Sequence, residues 1–139
     1  MVEITKSLKI LLLINAIIGF CIAFFYIAIP HLYLSLIQWP FFDPYYSWAF
    51  GGVFLILSGF IIISLKQNQW ERCKIVFEIF IVWQIFILVI NNIALILIPA
   101  PIDFLISTLV YNITFIVLII INIKFYTIKL SKEKNLDKV

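Results

Sequence analysis

Charge is scarce in this chain. Of its 139 residues, 10 are Lys or Arg and 7 are Asp or Glu, so 12% are charged while 65% are hydrophobic. Soluble domains average about 25% charged and roughly 45–50% apolar, which sets a water-soluble reading aside at the start. Histidine occurs once, at His31, and cysteine twice, at Cys21 and Cys73. One histidine cannot build a metal site. One cysteine lies in an apolar run and one in a basic run, and the pair fits neither a metal spacing nor a disulfide framework, so both read as free thiols. No metal and no cofactor is expected. The net charge of +3 could suggest an acidic partner, but its distribution suggests membrane topology instead, and no nucleic acid is expected as a partner.

What the chain has in abundance is long apolar runs. They cover Leu8–Ile29, Ser47–Leu65, Ile75–Ile98 and about Asp103–Ile123, with Pro30 and Pro99 stopping the first and third. A membrane-spanning helix needs about 20 mostly apolar residues, because each adds ~1.5 Å across a ~30 Å hydrocarbon core. Many residues in the runs are isoleucines, which favour strands in water. In lipid only helices and closed barrels satisfy the backbone, and barrel strands would be about 10 residues long with strict alternation. These runs are twice that length and do not alternate. The first run is also longer than the ~7–15 residues of a signal-peptide core, and no small-residue cleavage site follows it, so a retained first helix is expected.

The basic residues give a direction. Lys6 and Lys9 precede the first run, Lys66, Arg72 and Lys74 separate the second from the third, and Lys124, Lys129, Lys132, Lys134 and Lys138 follow the fourth. The other two connections, Pro30–Tyr46 and "PAPI", contain no Lys or Arg. Basic residues concentrate on the cytoplasmic side. The expected fold is therefore all-α: a four-transmembrane-helix bundle, up-down-up-down, as one integral domain of the cytoplasmic membrane with both termini in the cytoplasm. Residues 124–139 form a basic tail drawn to anionic lipid at about 1 kcal/mol per basic residue near the surface. Phe125, Ile128 and Leu130 continue the fourth helix for two turns before the tail frays. Trp70 reads as a headgroup-level anchor.

The connection from Pro30 to Tyr46 holds Tyr33, Trp39, Phe41, Phe42, Tyr45 and Tyr46. It reads as an aromatic interfacial segment with a short helix near His31–Trp39. The alternative is a lid over an opening between the helices.

Polar residues inside the runs are Asn15, Ser58, Glu78, Gln84, Asn91, Asn92, Ser107, Thr108, Tyr111, Asn112 and Thr114. At this depth such groups usually face the bundle interior and pair with one another. Folding the third and fourth runs about Pro101 brings Asn91 level with Tyr111, Asn92 opposite Val110 and Asn112, and Glu78 level with Lys124. Adjacent helical residues point ~100° apart, so one asparagine can bond to the fourth helix while the other faces a cavity or a neighbouring subunit. Glu78 reads either as an ion pair with Lys124 or as a proton-exchanging carboxylate. The candidate ligand-binding cluster is Glu78, Gln84, Asn91, Asn92, Tyr111 and Asn112. Gly51, Gly52 and Gly59 on the second span, with Gly52 and Gly59 seven apart on one face, and Gly19 with Ala23 on the first, read as packing marks between the first two spans.

The stretch "DPYYSWAFGGVFLILSGFIIISLKQNQWERCKIVFEIFIVWQIF" resembles a type of small archaeal and bacterial four-helix membrane protein. An acid-Pro-aromatic segment leads into a glycine-spaced second span, a short charged loop and an acid-bearing third span. In layout the chain is more distantly similar to DoxX-like proteins. The resemblance implies a four-helix bundle and brings no catalytic residue with it. Three functions follow as expectations. The first is a non-enzymatic membrane protein that packs with copies of itself, binds a lipid-like hydrophobic molecule or supports a partner. The second is a small membrane enzyme acting on an isoprenoid, sterol-like or quinone substrate through the polar cluster. The third is a channel or transporter, which would need a charged ring the runs do not contain.

Overall fold

A computed structural model describes residues 4–37, 43–67, 69–97 and 101–136, with the backbone alone at 72 and 132–136. Five helices follow in order: α1 (Lys6–Ala28), α2 (Pro30–Leu36), α3 (Pro44–Gln67), α4 (Trp70–Leu97) and α5 (Ile102–Leu136). Local chemistry sets their ends. The Thr5 hydroxyl caps α1 by accepting from the Leu8 N–H at 3.4 Å. Pro30 ends α1 and opens α2, since proline lacks the donor a helix interior needs but suits a first turn. Asp43 caps α3 by accepting from the Tyr45 N–H at 2.8 Å, with Pro44 in the first position. The expected aromatic positions Trp39, Phe41 and Phe42 lie outside the described residues, as do Pro99 of the α4–α5 turn and Lys138 of the tail.

α1 packs most extensively on α3, α3 on α4 and α4 on α5, which is the antiparallel order expected of an up-down-up-down bundle. Four of the helices, over Lys6–Ala28, Pro44–Gln67, Cys73–Leu97 and Ile102–Ser131, are long and apolar enough to cross a membrane, and no more than a third of any of these windows is buried. What remains outside is hydrocarbon. Ile10, Ile17 and Phe24 on α1, Ile56 and Ile63 on α3, Ile75, Val82 and Val89 on α4, and Ile106, Ile113 and Ile120 on α5 recur every seven residues, each about half exposed or more. Water would not tolerate so continuous an apolar surface, whereas acyl chains match it. The chain is a multi-pass membrane protein.

The core is uneven along the bundle axis. At the end carrying the termini, eleven buried residues including Leu8, Leu12, Ile61, Trp70, Phe77 and Phe80 form one cluster. At the end carrying α2, Ala23, Phe54, Ile87 and Phe115 do so among the described residues. Burial against lipid brings no hydrophobic gain, so close packing and hydrogen bonds hold such helices together.

Three expectations change here. Trp70 is not an interface anchor. It is fully buried and meets the Tyr126 ring at 5.9 Å, because α4 begins one turn before its apolar run and carries the indole inside. The tail does not fray after two turns, since α5 runs to Leu136 and buries Lys129. Its Lys, Glu and Leu content favours the helix. Of the glycines expected at the α1–α3 contact, Gly19 and Gly51 stand there and Gly52 and Gly59 do not. Gly19 faces the Ser58 hydroxyl, and a Cβ on Gly51 would stand 2.8 Å from Ile27 and 2.9 Å from Tyr26, so these two glycines set the α1–α3 approach together with buried Ala23. A Cβ added to Gly52 or Gly59 would meet nothing within 4 Å, so neither marks that interface.

Candidate functional site

The deepest polar feature is a set of three amides from three helices. Asn15 on α1, Gln84 on α4 and Asn122 on α5 are each at most 1% exposed. Asn15 Nδ2 donates to Asn122 Oδ1 at 2.8 Å and to the Leu11 carbonyl at 3.1 Å. Asn122 Nδ2 donates to Gln84 Oε1 at 2.9 Å and to Asn15 Oδ1 at 3.3 Å. Gln84 Nε2 approaches Asn15 Oδ1 at 3.5 Å. Every amide oxygen accepts and every amide nitrogen donates, so the three satisfy one another without a ligand. The knot closes α5 onto α1 and is a structural clamp. Sequence reasoning does not single out Asn122, although folding the chain about Pro101 places it within about one turn of Gln84's level.

The candidate cluster is thus dispersed over several levels. Gln84 belongs to the clamp. Glu78 lies towards the terminal end, where its carboxylate accepts from the Tyr126 hydroxyl. Lys124, expected opposite Glu78, is exposed, because the hairpin register is offset by two residues from a fold about Pro101. Asn92 and Asn112 do meet, with Asn112 Nδ2 donating to Asn92 Oδ1 at 3.4 Å, while Asn92 Nδ2 bonds back to the Leu88 carbonyl at 2.7 Å. Asn91, one position away, makes no side-chain hydrogen bond among the described residues. It points elsewhere, as the ~100° step requires.

Asn91 lines two adjoining spaces at the α2 end. The larger is a groove of about 570 Å³ between α3 and α4, walled by Tyr46, Ala49, Phe50, Val53, Trp83, Ile87 and Ile90, with Tyr26 and Leu34 behind and Asp43 at the rim. Its size falls within the ~300–1,000 Å³ typical of small-molecule sites. The smaller is a partly open chamber of about 50 Å³, bounded by Phe104, Ser107, Thr108, Tyr111 and Phe115 of α5 together with Ile22, Ile37 and Phe54. Tyr26, Phe50, Ile87 and Asn91 line both. No protein-family model, no curated protein and no solved structure matches this chain. The groove must therefore be interpreted from its own chemistry.

That chemistry is apolar with a few unmet polar groups. The Trp83 indole N–H, in the groove wall, is buried without a partner among the described residues; outside the groove lining, Asn112 Oδ1 and the Ser58 hydroxyl are as well. Such orphans cost about 1–3 kcal/mol each. α2 lies across this end of the bundle. Tyr33 stacks on Phe25 at 5.3 Å, meets Tyr26 edge-on at 5.0 Å, and shares a hydrogen bond with Tyr111 of α5. Burial, with the Tyr26 and Tyr111 hydroxyls beside it, pushes the Tyr33 phenol above its usual range, so it stays a neutral hydrogen-bonding group. Tyr33 thereby ties α2 to both α1 and α5. Leu34 reaches the groove and Ile37 the chamber.

Proposed function

We propose that this protein is a non-enzymatic lipid-binding bundle of the cytoplasmic membrane, allied in layout to small DoxX-like four-helix proteins. The basic residues at both termini and in the α3–α4 connection favour a cytoplasmic terminal end. The α2 end then faces outward, and the groove opens sideways into the outer leaflet. One observation carries the binding role: an apolar groove of ligand size is lined by Asn91, whose amide has no partner among the described residues. An unpaired amide at membrane depth is costly unless a ligand meets it. Binding is favoured over catalysis because the one carboxylate in the lining, Asp43, already caps α3, and Glu78 lies away from the groove.

Val53→Trp tests this directly. The indole would occupy the groove from the α3 side. Lipid extracted from the purified variant should lack the species that accompanies the wild type, while the variant remains folded and monodisperse. An unchanged lipid complement in a folded variant would contradict the role of the groove.

A further inference from the structure

The groove's polar end also defines the ligand's head. This deepens the lipid-binding reading and rests on it. We propose that the ligand is an uncharged, hydroxyl-headed amphiphile, with its oxygen held among Asn91, Ser107 and Thr108 and its tail in the α3–α4 groove.

Depth limits the head's charge. Asn91 lies six residues inside the end of α4 and Ser107 five residues inside the start of α5. At ~1.5 Å per residue both are about 8–9 Å below the helix ends, within hydrocarbon. An ionised head at that level would need a charged partner. Lys, Arg and His are absent from the lining residues of both spaces, and Asp43 at the rim would repel an anion. Phosphates and carboxylates are disfavoured on both counts.

Hydrogen-bond valence narrows the choice among neutral heads. Thr108 is 7% exposed, and its hydroxyl makes no hydrogen bond among the described residues. The Ser107 hydroxyl already donates to the Phe104 carbonyl at 2.9 Å, so its oxygen can only accept. The Asn91 amide offers two donors and one acceptor. A ketone or ester accepts only and leaves Ser107 unmatched. A hydroxyl both donates and accepts, and so satisfies Ser107 and Asn91 together. Size agrees: a chamber of about 50 Å³ suits a hydroxyl, or a hydroxyl and one water, better than a phospholipid headgroup.

The test is photolabelling of the full-length protein in phosphatidylcholine vesicles with hexadecanol that carries a diazirine in its tail. Peptide mapping should place saturable label on α3 and α4 residues of the groove. Unlabelled hexadecanol should compete about tenfold better than ionised palmitate or phosphatidylglycerol, and Thr108→Val should reduce saturable labelling roughly fivefold. Equal competition by palmitate or phosphatidylglycerol would overturn the uncharged head while leaving the groove as a lipid site. Saturable labelling that Thr108→Val leaves intact would overturn the placement of the oxygen. Absence of saturable label from the groove would overturn both this inference and the lipid-binding reading. The competition arm uses the wild-type protein, so it does not depend on a variant folding.

Discussion

Asn122→Leu is expected to lower the unfolding free energy of the bundle by about 2–3 kcal/mol. The substitution removes interhelical bonds from Asn122 to Asn15 and Gln84, all of them buried. Interhelical hydrogen bonds in membranes are worth ~0.6 kcal/mol on average and up to ~1.7. Three lost bonds at about the middle of that range, with Asn15 and Gln84 left short of partners, give the figure. A triple variant, Asn15→Leu with Gln84→Leu and Asn122→Leu, should recover most of the loss, because it leaves no orphan behind. Equilibrium unfolding in mixed micelles, followed by far-ultraviolet circular dichroism, measures both. A triple variant as unstable as the sum of its parts would show that the amides act through shape and not through pairing. Asn92→Leu supplies the contrast. Asn92 is exposed and its one interhelical bond is 3.4 Å long, so the cost should stay below about 1 kcal/mol.

Gly51→Ala and Gly52→Ala should move stability in opposite directions. A Cβ at Gly51 would press on Ile27 at 2.8 Å, on Tyr26 Cβ at 2.9 Å and on the Ala23 carbonyl at 3.3 Å. Neither Tyr26 Cβ nor the Ala23 carbonyl can move without its backbone. Overpacking of this kind costs about 1–3 kcal/mol, which exceeds the ~0.5–1 kcal/mol that alanine gains in a helix. Gly51→Ala should therefore destabilise. At Gly52 the added methyl meets nothing within 4 Å, so the helix gain stands alone and the protein should become slightly more stable. The same unfolding experiment decides between them. Equal responses would place the α1–α3 contact elsewhere on α3. Because Tyr26 also walls the groove, Gly51→Ala should weaken ligand retention as well, and Gly52→Ala should leave it unchanged.

Much of this architecture is legible in the residues alone. Helix number and antiparallel order follow from run length, because a bilayer admits few alternatives for the backbone. The Asn92–Asn112 pairing follows from the short α4–α5 connection, and the divergence of Asn91 from Asn92 follows from the helical step. Residue levels are legible, but helix azimuths are not. Apolar runs hydrophobic all round carry little information about which face turns inward. That is why Gly52 and Gly59 look like contact residues and are not, and why Gln84 looks like a ligand group and is part of a closed clamp. Trp70 misleads for a related reason: tryptophan at the end of a run suits an interface, and only tertiary packing shows that it lies against Tyr126, which also meets Phe77. The groove itself has no sequence signal. It arises because α3 and α4 leave space between them at the α2 end, where the buried cluster is small.

The groove beside Asn91 is expected to hold one kind of lipid-like molecule. Native mass spectrometry of the wild-type protein, released from its own membrane and followed by extraction of whatever stays bound, decides this. A chemically uniform, uncharged amphiphile at one copy per chain is the expected result. A bare protein, or one carrying only a sample of the bulk membrane lipids, would contradict the claim and leave Asn91 without a ligand.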